Sequence, residues 1–261
     1  MRSPQIFLGT PLRLPQNMDD GMRPELRVED LSLTIEGRTI LSHIDFSARE
    51  PRLGIVGRNG SGKTSLARSI AGLIVPSSGA AKIGGADMAR DRKAALRAVG
   101  ILFQNPDHQI IFPTVEEEIG FGLGQLGLSK AEILRETAEI LARFGKEAWA
   151  KAGVHRLSQG QKQLVCLMSI LAMRPAVILL DEPFSGLDIP TKMRLARYLD
   201  GVEAQLVHIS HEPAVLAGYD RVLWIEGGEI RQDGAAAPVL EAFTQAMVRI
   251  GETDDLTDLA D

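Results

Sequence analysis

The segment from Gly57 to Thr64 has the residue types and the spacing of a phosphate-binding loop. It reads Gly57-Arg58-Asn59-Gly60-Ser61-Gly62-Lys63-Thr64, which matches the pattern G-x-x-x-x-G-K-[ST]. Glycines let backbone N–H groups approach phosphate oxygens, and the N-terminus of a helix that follows adds to the attraction. Lys63 would neutralise the β- and γ-phosphates, and the Thr64 hydroxyl would ligate Mg²⁺. We therefore predict that this segment, together with Ser65, binds a nucleotide.

Two acidic residues follow an apolar strand later in the chain. The run from Ala176 to Leu180 is continuously apolar, and Asp181 and Glu182 come next. Carboxylates at the end of a strand could simply be solvated, but the phosphate-binding loop upstream favours a chemical role. Asp181 would then belong to the metal shell, and Glu182 would be the general base for the attacking water. The pair therefore indicates hydrolysis of the nucleotide rather than binding alone.

Strands and helices alternate around these motifs. We predict strands at 26–35, 40–48, 52–56, 99–103, 177–180, 205–209 and 222–226. We predict helices at 63–73 and 160–173, and a mostly helical stretch at 114–145 that is broken between Gly120 and Gly127. The alternation favours an α/β fold with a mainly parallel core sheet, into which a helical block at about 113–156 is inserted.

The composition excludes several classes of protein. The chain has 261 residues, a formal net charge of −5 and 5% aromatic residues, which argues against a nucleic-acid-binding protein. The single cysteine, Cys166, excludes an intrachain disulfide and a zinc site made of several thiolates. No apolar run is long enough for a transmembrane helix, and the N-terminus lacks the pattern of a signal peptide. We expect a cytoplasmic protein, or one that a partner holds at the membrane.

Further segments occur in the order that ATP-binding cassette (ABC) ATPases show. The loop Leu157-Ser158-Gln159-Gly160-Gln161 resembles the ABC signature L-S-G-G-Q, with a glutamine in place of the first glycine. Gln104 follows a predicted strand as the Q-loop glutamine does, residues 185–188 (SGLD) resemble the D-loop, and His211 resembles the switch histidine. The resemblance covers about residues 26–230. With the phosphate-binding loop and the acidic pair, it identifies the chain as a member of this family.

The resemblance implies a fold, a dimer and a set of roles. The fold would be a P-loop ATPase of the ABC type, with a mainly parallel core sheet, an N-terminal antiparallel β subdomain and an inserted helical subdomain. Gln104 would join Thr64 and Asp181 at Mg²⁺, and His211 would contact the γ-phosphate beside Glu182. The residues that would act in trans, on ATP held by the other subunit of a homodimer or a paired ATPase, are Ser158, Gln159, Gly160, Gln161 and Asp188.

The resemblance also divides the chain into three parts. We predict a loose extension at 1–24, the ABC ATPase cassette at 25–230, and a short C-terminal helix with an acidic tail at 231–261.

Ile35 stands where the family often has an aromatic residue that stacks on adenine. An aliphatic side chain loses that stacking, which is worth about 1 kcal/mol. We therefore expect a weaker contact with the base.

Residues 103–112 and 114–122 carry a more specific resemblance, to the ATPases of energy-coupling factor (ECF) importers. It implies a peripheral protein at the cytoplasmic face of the cell membrane. Its partners would be a transmembrane coupling protein and a small substrate-binding membrane protein, and no nucleic acid. Residues 157–161 and 181–190 look most like the ATPase subunits of biotin transporters. This likeness favours biotin as the cargo, with cobalt or nickel as the alternative.

Some alternatives remain open at this stage. Ile110, Ile111 and Phe112 could form a groove for a helix of the partner, or they could belong to the core of the cassette. The acidic run 116–118 could attract a basic helix, or it could stabilise the N-terminus of its own helix. Other functions would be the ATPase of a conventional ABC importer, a DNA-associated ABC ATPase and a non-catalytic subunit. The interval between the phosphate-binding loop and the signature loop is short and has no cysteines, which disfavours a DNA-associated ATPase. The intact catalytic residues disfavour a non-catalytic subunit.

Overall fold

Ten strands and eight α-helices make up the described part of the chain, residues 23–253, in the computed structural model. The strands are β1 Leu26–Ile35, β2 Arg38–Ala48, β3 Arg52–Val56, β4 Ser78–Ile83, β5 Ala86–Asp87, β6 Val99–Leu102, β7 Val177–Asp181, β8 Gln205–Ser210, β9 Arg221–Glu226 and β10 Glu229–Ala235. The helices are α1 Lys63–Ile70, α2 Arg92–Ala98, α3 Val115–Gln125, α4 Lys130–Arg143, α5 Gln159–Ala172, α6 Ile189–Asp200, α7 Pro213–Leu216 and α8 Ala236–Thr253.

The strands form two sheets of different character. The first has the order β2-β1-β4-β5 and is antiparallel throughout. The second has the order β10-β9-β3-β8-β7-β6, and all of its neighbours are parallel except β10 and β9. Both predicted sheets, the N-terminal antiparallel one and the mainly parallel core, are therefore confirmed.

The parallel strands of the core sheet bring four loops to one edge. Val56 of β3 pairs with Ser210 of β8, and Asp181 of β7 pairs with Ile209 of the same strand. Leu102 of β6 pairs with Leu180. Because parallel strands all end at the same edge, the loops after β3, β6, β7 and β8 lie side by side there. These are the loops that carry the predicted phosphate-binding, metal-binding and catalytic residues.

The core sheet is buried on both faces, which explains its continuous apolar strands. Every residue of β7 and of β8 is buried. On one face the sheet packs against α1 and the antiparallel sheet. On the other face it packs against α5 and α6, and the same cluster continues into α3 and α4. The inserted helical block thus shares a core with the sheet, with α5 lying between them.

The structure corrects the predicted break in the helical block. Helix α3 continues through Gly120, Gly122 and Gly124, and the chain leaves the helix only at Leu126. A Cβ atom at Gly120 would lie 2.9 Å from Ile133 Cγ2, and one at Gly122 would lie 2.5 Å from the sulfur of Met173. These glycines therefore allow α3 to pack closely against its neighbours, and they do not end the helix.

The C-terminal part of the cassette also differs from the prediction. Strand β10, which the sequence did not reveal, crosses the predicted boundary at residue 230 and pairs with β9. Helix α8 is 18 residues long rather than short, and Val239, Leu240 and Phe243 are buried against Val56 and the neighbouring strand. This segment belongs to the core because it covers one face of β3 and β9.

Other differences concern element ends and elements that the sequence pattern did not reveal. Helix α1 ends at Ile70 rather than at residue 73, and β6 ends at Leu102. Strands β4 and β5 and helices α2, α6 and α7 were not predicted. The predicted extension at 1–24 lies outside the described residues except for its last two, and most of the predicted acidic tail also lies outside them. No helix within residues 23–253 is long and apolar enough to cross a bilayer.

Candidate active site

The phosphate-binding loop connects the end of β3 to the first turn of α1. Gly62 has a φ of +100° immediately before the helix, a conformation that favours glycine. A Cβ atom there would lie 2.7 Å from Leu41 Cδ2 and 2.9 Å from the carbonyl oxygen of Ile40. Strand β2 therefore presses on the loop, and a glycine at this position lets the chain turn into the helix.

The Lys63 side chain curls back into the loop. Its Nζ donates hydrogen bonds to the carbonyl oxygens of Gly57 at 2.7 Å and Arg58 at 2.6 Å. The residue is only 6% exposed, and burial lowers the pKa of Lys63, while the nearby carboxylates of Glu182 and Asp181 act in the opposite direction. The ammonium group is thus held where the loop would enclose phosphates.

The loop also contains a hydroxyl group that the protein does not satisfy. Ser61 is buried, and its Oγ has no hydrogen-bond partner among the described residues. Buried polar groups are normally paired, so an orphaned hydroxyl inside a phosphate-binding loop fits a ligand with many acceptor oxygens. The loop residues are therefore compatible with the triphosphate of ATP.

The three predicted metal ligands line one cavity. The Thr64 hydroxyl donates a hydrogen bond of 3.1 Å to Asp181 Oδ1, and Gln104 faces the same cavity of about 470 Å³. Burial raises the pKa of Asp181, and the hydrogen bond from Thr64 opposes this shift. Hydroxyl, carboxylate and amide oxygens are the hard donors that Mg²⁺ prefers, so the donor set fits this ion. The amide nitrogen of Gln104 donates to Ser185 Oγ at 3.1 Å, which connects the Q-loop to the segment after β7.

Glu182 and His211 form a close pair beside this cavity. Glu182 Oε1 lies 2.7 Å from His211 Nδ1 and also accepts the backbone N–H of His211 at 2.8 Å. Glu182 has a φ of +50°, a conformation that non-glycine residues rarely adopt and that often occurs at functional sites. Its side chain is 13% exposed and that of His211 is 44% exposed. The strand ends therefore place a carboxylate and an imidazole together at the mouth of the site.

The signature loop is the N-terminus of α5. Ser158 Oγ accepts the N–H of Gln161 at 3.3 Å, and Gln161 Oε1 accepts the N–H of Ser158 at 2.8 Å, which is a capping box. A Cβ atom at Gly160 would lie 2.4 Å from Thr191 Cγ2. Asp188 in turn caps α6 by accepting the N–H of Thr191 at 2.7 Å. The signature loop is thus packed against the first turn of α6, which Asp188 of the D-loop caps, and the action of both loops across a dimer stays a prediction.

The structure separates the open alternatives for residues 110–118. Ile110 packs against the core, whereas Ile111 is 72% exposed and the Phe112 ring lies 4.9 Å from that of the partly exposed Phe121. The three carboxylates that follow all have partners in the chain. They are Glu116 with Lys151, Glu117 with Thr114, and Glu118 with the N–H groups of Ile111 and Phe112. An apolar surface is therefore present, and the acidic run stabilises its own helix and loop.

Sequence reasoning missed one residue that joins the site's loops. Gln163 of α5 is 1% exposed, and its amide nitrogen donates to the carbonyl oxygens of Phe103 at 3.0 Å and Pro183 at 3.3 Å. It links the signature helix to the start of the Q-loop and to the segment after Glu182. A lone glutamine on the apolar face of a predicted helix was the signal that could have revealed it. Ile35, at the predicted adenine position, is 42% exposed at the end of β1.

Comparison with known proteins agrees with this geometry. Residues 41–185 match the ABC transporter family profile. The chain is 49% identical over 217 residues to the biotin transport ATP-binding protein BioM of Rhodobacter capsulatus, covering 83% of this chain and 93% of the relative. It is 34% identical over 236 residues to the energy-coupling factor transporter ATP-binding protein EcfA1 of Lacticaseibacillus paracasei, covering 87% of this chain and 84% of the relative.

A solved structure shows the same fold. The structure of cbiO1 from Clostridium perfringens, described as part of the ABC transporter complex cbiONQ, matches with a TM-score of 0.72 at 27% identity. The match covers 86% of this chain and 93% of that chain. With the loop, the acidic pair and the signature helix in place, the chain belongs to the ABC transporter family and is an ATP-binding cassette ATPase.

Proposed function

We propose that this chain is the ATP-hydrolysing subunit of an ECF-type importer and works as a peripheral protein at the cytoplasmic face of the cell membrane. The observation that carries the hydrolytic role is the contact of Glu182 with His211 at the sheet edge that also holds Lys63. A subunit that only binds nucleotide needs no such base. The importer role rests on the exposed apolar surface beside the Q-loop and on the relatives named above.

The residues of the loop after β3 would bind ATP. Lys63 would exchange the carbonyl oxygens of Gly57 and Arg58 for the β- and γ-phosphates, and the Ser61 hydroxyl would gain a phosphate acceptor. Thr64, Asp181 and Gln104 would hold Mg²⁺, which supplies charge neutralisation at the phosphates when it is bound. In this arrangement Asp181 stays ionised, because the cation offsets the effect of burial on its pKa.

The chemistry then falls to two side chains. Glu182 would accept a proton from the water that attacks the γ-phosphate, and His211 would orient that carboxylate through Nδ1. The fixed backbone N–H of His211 adds a second constraint on the same oxygen. Positioning the base in this way contributes more than its proton affinity alone, since attack requires a defined direction.

Two copies of the cassette would complete each site. Ser158 and Gly160 at the N-terminus of α5 would meet the γ-phosphate held by the other subunit, and Gln159, Gln161 and Asp188 would lie at the same interface. The physical basis is the helix N-terminus, where N–H groups and a hydroxyl attract an anion. ATP would favour the closed dimer only through the contacts that it makes there, and hydrolysis would reopen it.

The membrane partners would contact the surface beside the Q-loop. Ile111, Phe112 and Phe121 form an apolar patch there, and Leu73 is also exposed at 58% near the cavity that Gln104 lines. Such a surface suits an amphipathic helix of a transmembrane coupling protein. A small substrate-binding membrane protein would complete the importer.

The 49% identical relative named for biotin transport supports biotin as the cargo. A cobalt import ATP-binding protein of Syntrophus aciditrophicus, 36% identical over 209 residues, makes cobalt the second candidate.

Purification of the tagged chain from native membranes in mild detergent tests the assignment. Mass spectrometry of the complex should find a coupling protein and a small membrane protein, and bound biotin or cobalt would identify the cargo. Ile111→Glu should reduce recovery of the membrane proteins, whereas Val248→Glu, at another exposed apolar position, on α8, should not. A conventional permease, or soluble DNA-associated partners, would contradict the ECF role and leave the ATPase chemistry intact.

A further inference from the structure

The Q-loop is attached to the signature helix of the same subunit by three side chains of α5. Gln159 Nε2 donates to Asn105 Oδ1 at 3.3 Å, and Lys162 Nζ lies 2.6 Å from Asp107 Oδ1. One residue further along, Gln163 donates to the carbonyl oxygen of Phe103. We refer to the contacts of Gln159, Lys162 and Gln163 with residues 103–107 as the clasp.

Gln159 takes part in the clasp because it is not a glycine. This position is the one at which the loop departs from the pattern L-S-G-G-Q, and a glycine there would have no amide to reach Asn105. The Asn105 oxygen also accepts the N–H of Asp107 at 3.0 Å, so its orientation is held from both sides. The glutamine that stands in place of the pattern's first glycine thus forms a contact within the subunit that a glycine could not form.

In the ion pair of the clasp, the lysine side chain is mostly shielded from solvent. The Lys162 side chain is 18% exposed and that of Asp107 is 51% exposed. A lysine in the first turn of a helix is unfavourable for the helix dipole, so the aspartate offsets a cost that α5 would otherwise bear. The pair therefore has a local reason to persist, unlike most surface ion pairs.

The segment that the clasp holds reaches toward two different surfaces. Gln104 lines the cavity with Thr64 and Asp181, and residues 111 and 112 form the exposed apolar patch. Ser158 and Gly160 lie in the first turn and cap of α5, on the other side of the clasp. A displacement of the Q-loop must therefore move the N-terminus of α5 with it for as long as the clasp holds.

We propose that Gln159 and Lys162 are positioning residues that couple movement of the Q-loop to the signature loop of the same subunit. The proposal rests on the proposed function, since the movement originates in a membrane partner on the Q-loop. Without the Lys162–Asp107 ion pair, the chain would still hydrolyse ATP, and less substrate would be taken up per ATP hydrolysed. Gln159 then has a second role within its own subunit, in addition to its place with Ser158 and Gly160 at the dimer interface.

Hydrogen exchange on the chain alone tests the attachment without any partner. Lys162→Ala and Gln159→Gly should each raise amide exchange in peptides covering residues 103–110 by about threefold or more, because local opening becomes easier. Lys82→Ala is the matched control, since Lys82 also pairs with a carboxylate at 2.6 Å, that of Glu29 in the antiparallel sheet. Unchanged exchange at 103–110 in both clasp variants would overturn the proposal, whatever the chain transports.

The coupling itself is measured in proteoliposomes that contain the complete transporter. Lys162→Asp should lower substrate uptake per ATP hydrolysed by about fivefold, because the ion pair is replaced by repulsion between two carboxylates. The double variant Lys162→Asp/Asp107→Lys should restore that ratio, because it re-forms the ion pair with the charges exchanged. A parallel fall in uptake and hydrolysis, or no restoration, would overturn the proposal. Wild-type vesicles that take up no substrate would contradict the importer function, and the exchange result would still decide the clasp.

Discussion

The carboxylate of Glu182 lies 2.7 Å from Nδ1 of His211 and accepts the backbone N–H of the same histidine. One oxygen atom, Oε1, therefore receives both contacts, and among residues 23–253 Oε2 has only a long contact of 3.4 Å from the Ser210 hydroxyl. This arrangement leaves the second carboxylate oxygen more available to a water molecule. The pair is the feature of the active site that we expect to separate nucleotide binding from turnover.

Replacement of the base tests this separation. Glu182→Gln should retain ATP binding and lower the rate of ATP hydrolysis by about 10²-fold or more, because the amide cannot accept the proton of the attacking water. Phosphate release and equilibrium nucleotide binding measure the two quantities. Glu212→Gln is the control, since Glu212 is a neighbouring carboxylate that forms a long ion pair of 3.7 Å with Lys192. Normal hydrolysis by Glu182→Gln would show that another group is the base.

The buried lysine of the phosphate-binding loop makes a different prediction. Lys63→Ala should abolish the rise in Tm that ATP causes, which for the wild type corresponds to about 2.7 kcal/mol when ATP is at a hundredfold excess over Kd. Its Tm without nucleotide should change little, because burial of an ammonium group offsets the hydrogen bonds to the loop carbonyls. Thermal unfolding with and without Mg·ATP measures both effects. A full ATP-dependent shift in the variant would contradict the role of Lys63.

Packing between the signature loop and α6 predicts a pair of variants. Gly160→Ala should destabilise the protein by about 1–3 kcal/mol, because the new methyl group would collide with Thr191 Cγ2. Thr191→Ser removes that carbon, so the double variant Gly160→Ala/Thr191→Ser should regain most of the loss. Denaturant unfolding of the two single variants and the double variant gives the coupling between the positions. Equal stability of Gly160→Ala and the wild type would mean that the two helices separate without cost.

A buried histidine predicts how stability depends on pH. His208 is 1% exposed, Nδ1 lies 2.7 Å from the Tyr219 hydroxyl, and burial lowers the pKa of His208 to about 3. The unfolded chain binds this proton near the ordinary value of about 6.5. Between these two values the unfolded state holds more protons, so the free energy of unfolding must decrease as the pH falls from about 6.5 toward 3.

The measurement compares the slope of Tm against pH in that interval. His208→Gln should have a shallower slope than the wild type. A slope that is identical in His208→Gln and the wild type would show that other groups cause the loss of stability in acid.

The main motifs could be predicted from the sequence because their chemistry is local. The loop at 57–64 needs glycines, a lysine and a hydroxyl residue in consecutive positions, and the strand before it needs a short apolar run. The same is true of Asp181 and Glu182 after β7. The strand before the loop, β3, has the predicted bounds, and so has β1.

Elements with a weaker local pattern were missed. Strand β4 is rich in small residues, and β10 alternates between half-buried and exposed positions at the edge of the sheet. Because β10 is an edge strand, it buries only part of one face, and its sequence carries little apolar periodicity. Gly120 and Gly122 led to a false break because a glycine that ends a helix and a glycine that lets two helices pack closely look the same in one dimension.

By itself, the sequence determined the phosphate-binding loop, the acidic pair, the signature loop and their order, because each is a run of neighbouring residues. The resemblance implied that Gln104 lies near Thr64 and Asp181 and that His211 lies beside Glu182, but only the tertiary structure gives the shared cavity and the direct contact of Glu182 with His211. Only the tertiary structure decided that Gln159 holds Asn105. These contacts join residues from different loops. They depend on the parallel order β3-β8-β7-β6, which brings the ends of four strands to one edge, and no local pattern contains that order.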